Sequence, residues 1–148
     1  DGPTKAQLAR RARDMNLPNV TLLPAQPPQA IPDYFNAADV SVAPMKTPHI
    51  VGTLPVKIYD SMACGVPVIV AATGEASAVV RDSGSGLVVP PANGPALRAA
   101  ILRLRDDPHL RAQLGRSGQQ VVAAHYSRQA QARQLVALLS QTFGHSPG

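Results

Sequence analysis

The sequence contains a single cysteine, Cys64, and no tryptophan. One cysteine excludes an internal disulfide framework and any all-cysteine metal site. Three tyrosines and two phenylalanines bring the aromatic content to only 3%. Ala, Val, Leu and Ile must therefore fill the core, and almost nothing is available for stacking on nucleic-acid bases. No uninterrupted apolar run approaches the roughly 20 residues that a membrane-spanning helix needs. No charged and apolar signal-peptide pattern opens the chain, so the expected location is cytoplasmic. Acidic residues are scarce, nine against fourteen Lys and Arg, giving a formal net charge of +5. The arginines are spread along several segments (Arg10, Arg11 and Arg13; Arg98, Arg103 and Arg105; Arg111, Arg116, Arg128 and Arg133) and form no dense tract. That spacing argues against a nucleic-acid partner and fits a solvated surface, with peripheral association at the inner face of an anionic membrane as a possible role in a longer protein. His109, His125 and His145 are scattered and have no carboxylates at metal-ligand spacing, so neither a metal nor a cofactor is expected.

The chain has 148 residues, 45% of them hydrophobic, and 15 prolines punctuate it. That is one domain's worth of protein with enough apolar surface for one core. Periodicity and breakers predict helix over 4–15, a buried strand over Asn19–Leu23 stopped by Pro24, a short helix over 31–37 and a strand over 40–43. Helix over 55–63 ended by Gly65, strand over 68–71, short helix over 76–81 and strand over 86–89 follow. Helices over 95–105, 109–125 and 128–143 complete the order. Short β-branched strands alternating with helices predict a Rossmann-like, doubly wound parallel α/β sheet covered on both faces. Ligands of such sheets sit at the carboxyl ends of the strands, where the strand order reverses. Asp1-Gly2-Pro3 reads as a turn that should follow a strand, which leads us to expect a lobe missing its first strands. A small, complete flavodoxin-like domain is the alternative. On either reading 1–143 form one ligand-binding domain and 144–148 a frayed tail.

The most informative stretch runs from Gly52 through Thr53, Leu54, Pro55, Val56, Lys57, Ile58, Tyr59 and Asp60 to Gly65-Val66-Pro67-Val68-Ile69. Pro55 suits the first position of a helix, where its missing N–H costs nothing. Leu54 before it cannot cap with its side chain, so the first-turn N–H groups are left for an anion such as phosphate. Lys57 in that first turn opposes the helix dipole, and a bound anion would reverse the sign of that effect. Asp60, three residues on, falls on the same face, where a carboxylate can accept hydrogen bonds from sugar hydroxyls. The bland alternative is an ordinary Lys57–Asp60 surface pair. His49 before this stretch is most simply a solvated loop residue, and Cys64 a small apolar side chain. Glu75 is either a ligand contact or a first-turn carboxylate favoured by the dipole. Gly115 and Gly118 inside a helix cost about 1 kcal/mol each relative to Ala, which close packing could offset.

The 52–69 stretch resembles the "PSK-(I/L)-(F/Y)-E-x-MA-x-G-x-PVI" signature of the retaining glycosyltransferases of group 1 (GT4), enzymes of the two-lobed GT-B architecture. Similarity extends along most of the chain: the turn at Gly2-Pro3, the Asn19–Leu23 segment, Ile31–Val40, Gly74-Glu75-Ala76 with Gly84–Pro91, and Asp107-Pro108 with Leu114-Gly115. The run from Gly74 to Pro91 resembles members that build bacterial surface polysaccharides. The resemblance implies the carboxyl-terminal lobe of a GT-B fold and a UDP-, GDP- or dTDP-sugar as donor. Asp60 would hold ribose hydroxyls, and Gly52, Thr53, Leu54 and Lys57 would meet the diphosphate. Gln26 and Pro27 would border the base, and Gly74 and Glu75 the donor sugar. Many members carry two glutamates separated by seven residues; here Gly52 and Asp60 stand in their places, which shifts donor choice. The acceptor-binding lobe and the upstream basic residues have no counterpart in this chain, so it is expected to be inactive by itself and to supply no nucleophile. The competing readings are a non-catalytic nucleotide- or phosphate-binding α/β domain and a fragment of a sugar-nucleotide 2-epimerase.

Overall fold

A computed structural model of the chain describes residues 2–45 and 55–143. Its backbone contacts divide the chain into two compact units, Asp1–Ile31 and Pro32–Gly148. In the first unit α1 (Lys5–Asp14) ends where the backbone turns through Asn16 at φ 49°. The Lys5 ammonium donates to the Leu23 carbonyl at 3.0 Å, which holds the following segment near the start of the helix. The strand expected over Asn19–Leu23 is not formed. Val20, Leu22 and Leu23 are 45%, 39% and 50% exposed instead of buried. A β-prone run becomes a strand only where a neighbour completes its ladder, and the described residues offer it none.

The second unit is built on three parallel strands, β1 (Ser41–Pro44), β2 (Val68–Ala71) and β3 (Gly86–Val89), in the order β1-β2-β3. Ser41 pairs with Val68, and Val68 in turn with Gly86. Because the order follows the sequence, no reversal occurs among the described strands, and the switch point expected from the pattern is not among them. Helices α3 (Val56–Ala63) and α4 (Glu75–Asp82) make the crossovers. Two successive crossovers of the same hand in the same direction place both helices on one face. The packing agrees: Val68, Val70 and Ala72 point to that face and meet Ile58 and Met62 of α3 and Ala76 and Val80 of α4. The alternate residues Ile69, Ala71 and Val89 point to the other face. There they meet Ala100 and Leu104 of α5 (Gly94–Asp106) and Leu114 of α6 (Pro108–Val121). The sheet is thus covered on both sides, which is why β2 reads as a continuous apolar run, buried at every residue.

The two ends of the sheet differ. At the amino end α6 crosses close to the turns that lead into β2 and β3. Gly115 lies against the Gly65 carbonyl, and Gly118 faces Ser85 and Met62. The packing that could offset two helical glycines is therefore present. Gly65 takes φ +71° to end α3, and the buried Ser61 hydroxyl donates across this turn to Val66 O at 2.8 Å. Beyond α6 the chain takes one π-helical turn, Val122–Tyr126, which the sequence pattern had merged into a longer helix. Ser127 is extended, its hydroxyl caps Ala130 N at 3.1 Å, and α7 (Arg128–Phe143) follows.

Candidate functional site

The carboxyl end of the sheet is the open end, and three helices start there: α3 after β1, α4 after β2 and α5 after β3. Their amino termini differ in chemistry. Asn93 caps α5 through a side-chain bond to Ala96 N at 2.9 Å, but α3 and α4 have no side-chain cap. Pro55 precedes α3 in an extended conformation, with ψ 121°. Gly74 precedes α4 at φ 71°, ψ −145°, a region that only glycine enters readily. Neither residue has a side-chain oxygen to satisfy the first-turn N–H groups, and Ile58 N turns back to Pro55 O at 3.0 Å.

Lys57 is exposed in the first turn of α3, and no ion pair or hydrogen bond among the described residues joins it to Asp60. The bland surface pair is therefore absent. Asp60 is half-buried on the same helix, next to the half-buried Cys64, whose thiol is raised by burial and by the Asp60 carboxylate. Glu75 is exposed at the start of α4, where the dipole favours it. Gly74 belongs to an open cleft of ≈ 600 Å³ at the carboxyl ends of β2 and β3. Thr73, Ser77, Arg81 and Pro90 also line it, and Ser77 donates to Gly74 O at 2.7 Å. The sequence reading did not single out Arg81. The available signal was its place seven residues after Gly74, two turns along one face of a helix.

Tyr59 lies between Lys57 and Asp60 in the sequence and packs against Tyr126, ring centroids 4.6 Å apart and tilted by 45°. Burial, the Tyr126 phenol and the Glu75 carboxylate push its hydroxyl up to about 12.

Gly52, Thr53, Leu54 and His49 lie outside the described residues. Gln26 and Pro27 fall in the first unit, where the Gln26 amide donates to Pro24 O at 3.0 Å. Among the described residues no three His, Cys, Asp or Glu are grouped to hold a metal, and no helix is long and apolar enough to cross a membrane.

A parallel sheet with helices on both faces defines an α/β domain of the Rossmann-like kind. The model of the family "Glycosyl transferases group 1" matches residues 1–121, and the chain belongs to that family. It is 37% identical over 92 residues to the D-inositol 3-phosphate glycosyltransferase of Thermomonospora curvata, an alignment covering 62% of this chain and 20% of that protein. Among solved structures, sucrose-phosphate synthase from Thermosynechococcus elongatus superposes with TM-score 0.79 at 31% identity, over 98% of this chain and 36% of that one. Anabaena HepE in complex with UDP superposes with TM-score 0.80 at 22% identity, over 92% of this chain and 36% of that one. The fold is that of GT-B glycosyltransferases and fits their carboxyl-terminal lobe. Neither a 2-epimerase fragment nor an unrelated nucleotide-binding domain is favoured by these matches. The chain spans about a fifth to a third of the length of the curated relatives it matches.

Proposed function

We propose that this chain is the donor-binding lobe of a retaining glycosyltransferase that transfers a sugar from a nucleotide in the synthesis of a polysaccharide or glycoconjugate. The observation that carries this reading is the start of α3: no side-chain cap, a lysine in its first turn without a partner among the described residues, and a carboxylate one turn further in. Lysine there is unfavourable for an isolated helix and favourable for one that holds an anion. A diphosphate satisfies the free N–H groups and the ammonium together, while Asp60 accepts hydrogen bonds from ribose hydroxyls. Gly52, Thr53 and Leu54 complete the diphosphate contact, Gln26 and Pro27 border the base, and Gly74 and Glu75 face the sugar.

HepE, which shares the fold, has been crystallised with UDP and with UDP-glucose, and this supports a UDP-, GDP- or dTDP-sugar as the ligand class. In the intact enzyme the α3 start and Lys57 stabilise the nucleoside diphosphate as it departs, which is where charge develops during transfer. The acceptor is held by the remainder of a longer polypeptide, working in the cytoplasm at the inner face of the membrane. Calorimetric titration of the chain with UDP, GDP and dTDP at low salt tests the reading. Saturable binding of at least one is expected, and no binding of any would overturn it.

A further inference from the structure

We propose that Tyr126 is a positioning residue for the donor site, holding α3 through Tyr59 so that Lys57 and Asp60 stay aimed at the nucleotide. This inference rests on the donor reading of α3. The helix has only eight residues, and Ile58, Ser61 and Met62 form its fully buried face, with Met62 also against Gly118 of α6. These contacts seat one face of the helix, and a roll about that face is resisted further where a flank is supported from outside it. Successive residues on a helix are about 100° apart, so Tyr59 and Lys57 lie on opposite flanks of Ile58, and Asp60 lies beyond Tyr59. Any roll would therefore displace both ligand-facing side chains together.

Tyr59 is where such a roll is blocked. Its ring rests on Tyr126, 4.6 Å between centroids at 45°. Tyr126 is 41% exposed, and its backbone ends the π-helical turn that follows α6. Ser127 N donates to Val122 O at 2.9 Å and closes that turn. The Ser127 hydroxyl donates to Ala123 O at 3.1 Å, and the Gln131 amide to His125 O at 2.6 Å. Val121 and Val122, at the start of the turn, pack on the core cluster that contains Ile58 and Met62. The turn is thus anchored to the same core as α3 and presents Tyr126 from outside. The family match ends at residue 121, five residues before Tyr126, so the residue that braces the helix lies beyond the matched stretch.

The test measures affinity for UDP, GDP and dTDP in the 148-residue chain and its variants. Tyr126→Phe keeps the ring and should bind within about twofold of the parent, whereas Tyr126→Ala should lose about five- to tenfold, the worth of an aromatic pair. Tyr126→Leu keeps the volume without the ring and should also weaken binding, which protects the test should the alanine variant unfold. On a Lys57→Ala background the Tyr126→Ala change should cost less than it does in the parent, because one of the two contacts it positions is already gone. Parent-like affinity in both Tyr126→Ala and Tyr126→Leu overturns the inference and leaves the donor reading intact. An additive loss on the Lys57→Ala background overturns it too, since that is what general loosening produces. If the parent binds none of the three nucleotides, the donor reading and this inference fall together.

Discussion

Gly115 and Gly65 touch backbone to backbone: a Cβ added at Gly115 would overlap the Gly65 carbonyl oxygen. The contact joins the middle of α6 to the turn between α3 and β2. A methyl group at 115 has a rigid carbonyl in its way, so α6 would have to lift. At Gly118 the added Cβ would meet Ser85 Cβ at 3.1 Å, Met62 Cγ at 3.2 Å and Met62 Cα at 3.3 Å, a tight contact without the overlap found at Gly115. Gly115→Ala is expected to cost about 1–3 kcal/mol of stability by overpacking. Gly118→Ala should cost less than Gly115→Ala, since its contacts are tight without overlap and a gain in helix propensity of about 1 kcal/mol offsets part of the strain. Denaturant unfolding of the two variants separates them, and equal stability would contradict the seam between α6 and the turn.

Lys57→Ala should act with opposite signs on the empty and the loaded lobe. Without ligand, removing a first-turn cation relieves an unfavourable dipole interaction and should leave stability unchanged or raise it by up to about 0.3–1 kcal/mol. With a nucleoside diphosphate, affinity should fall, and more steeply at low salt than at moderate salt. Thermal unfolding with and without nucleotide shows both effects in one experiment. A variant that loses stability without ligand and keeps its affinity would remove Lys57 from the site.

Asp60→Asn should weaken a ribonucleotide more than its 2′,3′-dideoxy analogue, because the proposed contact needs the hydroxyls. Parallel titrations of the two ligands supply the comparison. Equal losses would assign Asp60 a role in the helix, for instance beside the Cys64 thiol whose proton it helps retain.

Tyr59 gives the fold an alkaline dependence. Folded, its hydroxyl keeps its proton up to about 12, against 10.0 for an ordinary tyrosine. The folded state therefore binds this proton more tightly than the unfolded state does. The resulting stabilisation is fully present below pH 10 and is lost as pH rises from about 10 towards 12. Tyr59→Phe should lack this part of the decline. Unfolding curves collected across the alkaline range should show a shallower slope for the variant, and matching slopes would mean that Tyr59 titrates as it does in water.

Most of the second unit was legible in the sequence because its signals are local. The β2 and β3 runs have the boundaries that their β-branched composition predicts, and α7 begins after Ser127 as its pattern indicates. Asn19–Leu23 was misread as a strand because composition reports fitness for a sheet and says nothing about whether a neighbour is present to pair with. The uncapped start of α3 was anticipated one residue out of place: the sequence puts Pro55 at the first helical position, and the structure puts it at the cap, where it has no side-chain acceptor to offer. The Tyr59–Tyr126 contact could not be anticipated, because it joins residues 67 positions apart through a π-helical turn that leaves the helical period undisturbed to the eye. Arg81 escaped for a related reason: its spacing from Gly74 means something only once Gly74 is known to border a cleft.

The contrast between the two ends of the sheet bears on how such a lobe can change over evolutionary time. At the amino end α6 is fitted to the Gly65 turn with no space for one more carbon at Gly115, so a side chain there should be selected against for its effect on folding alone. At the carboxyl end Lys57, Gly74 and Glu75 are exposed at the helix starts, and on the proposed reading substitutions there can alter which ligand is held while the packed layers beneath stay as they are. Diversification of ligand preference should therefore accumulate around Lys57, Asp60, Gly74 and Glu75, while inheritance of the scaffold is policed from the opposite edge.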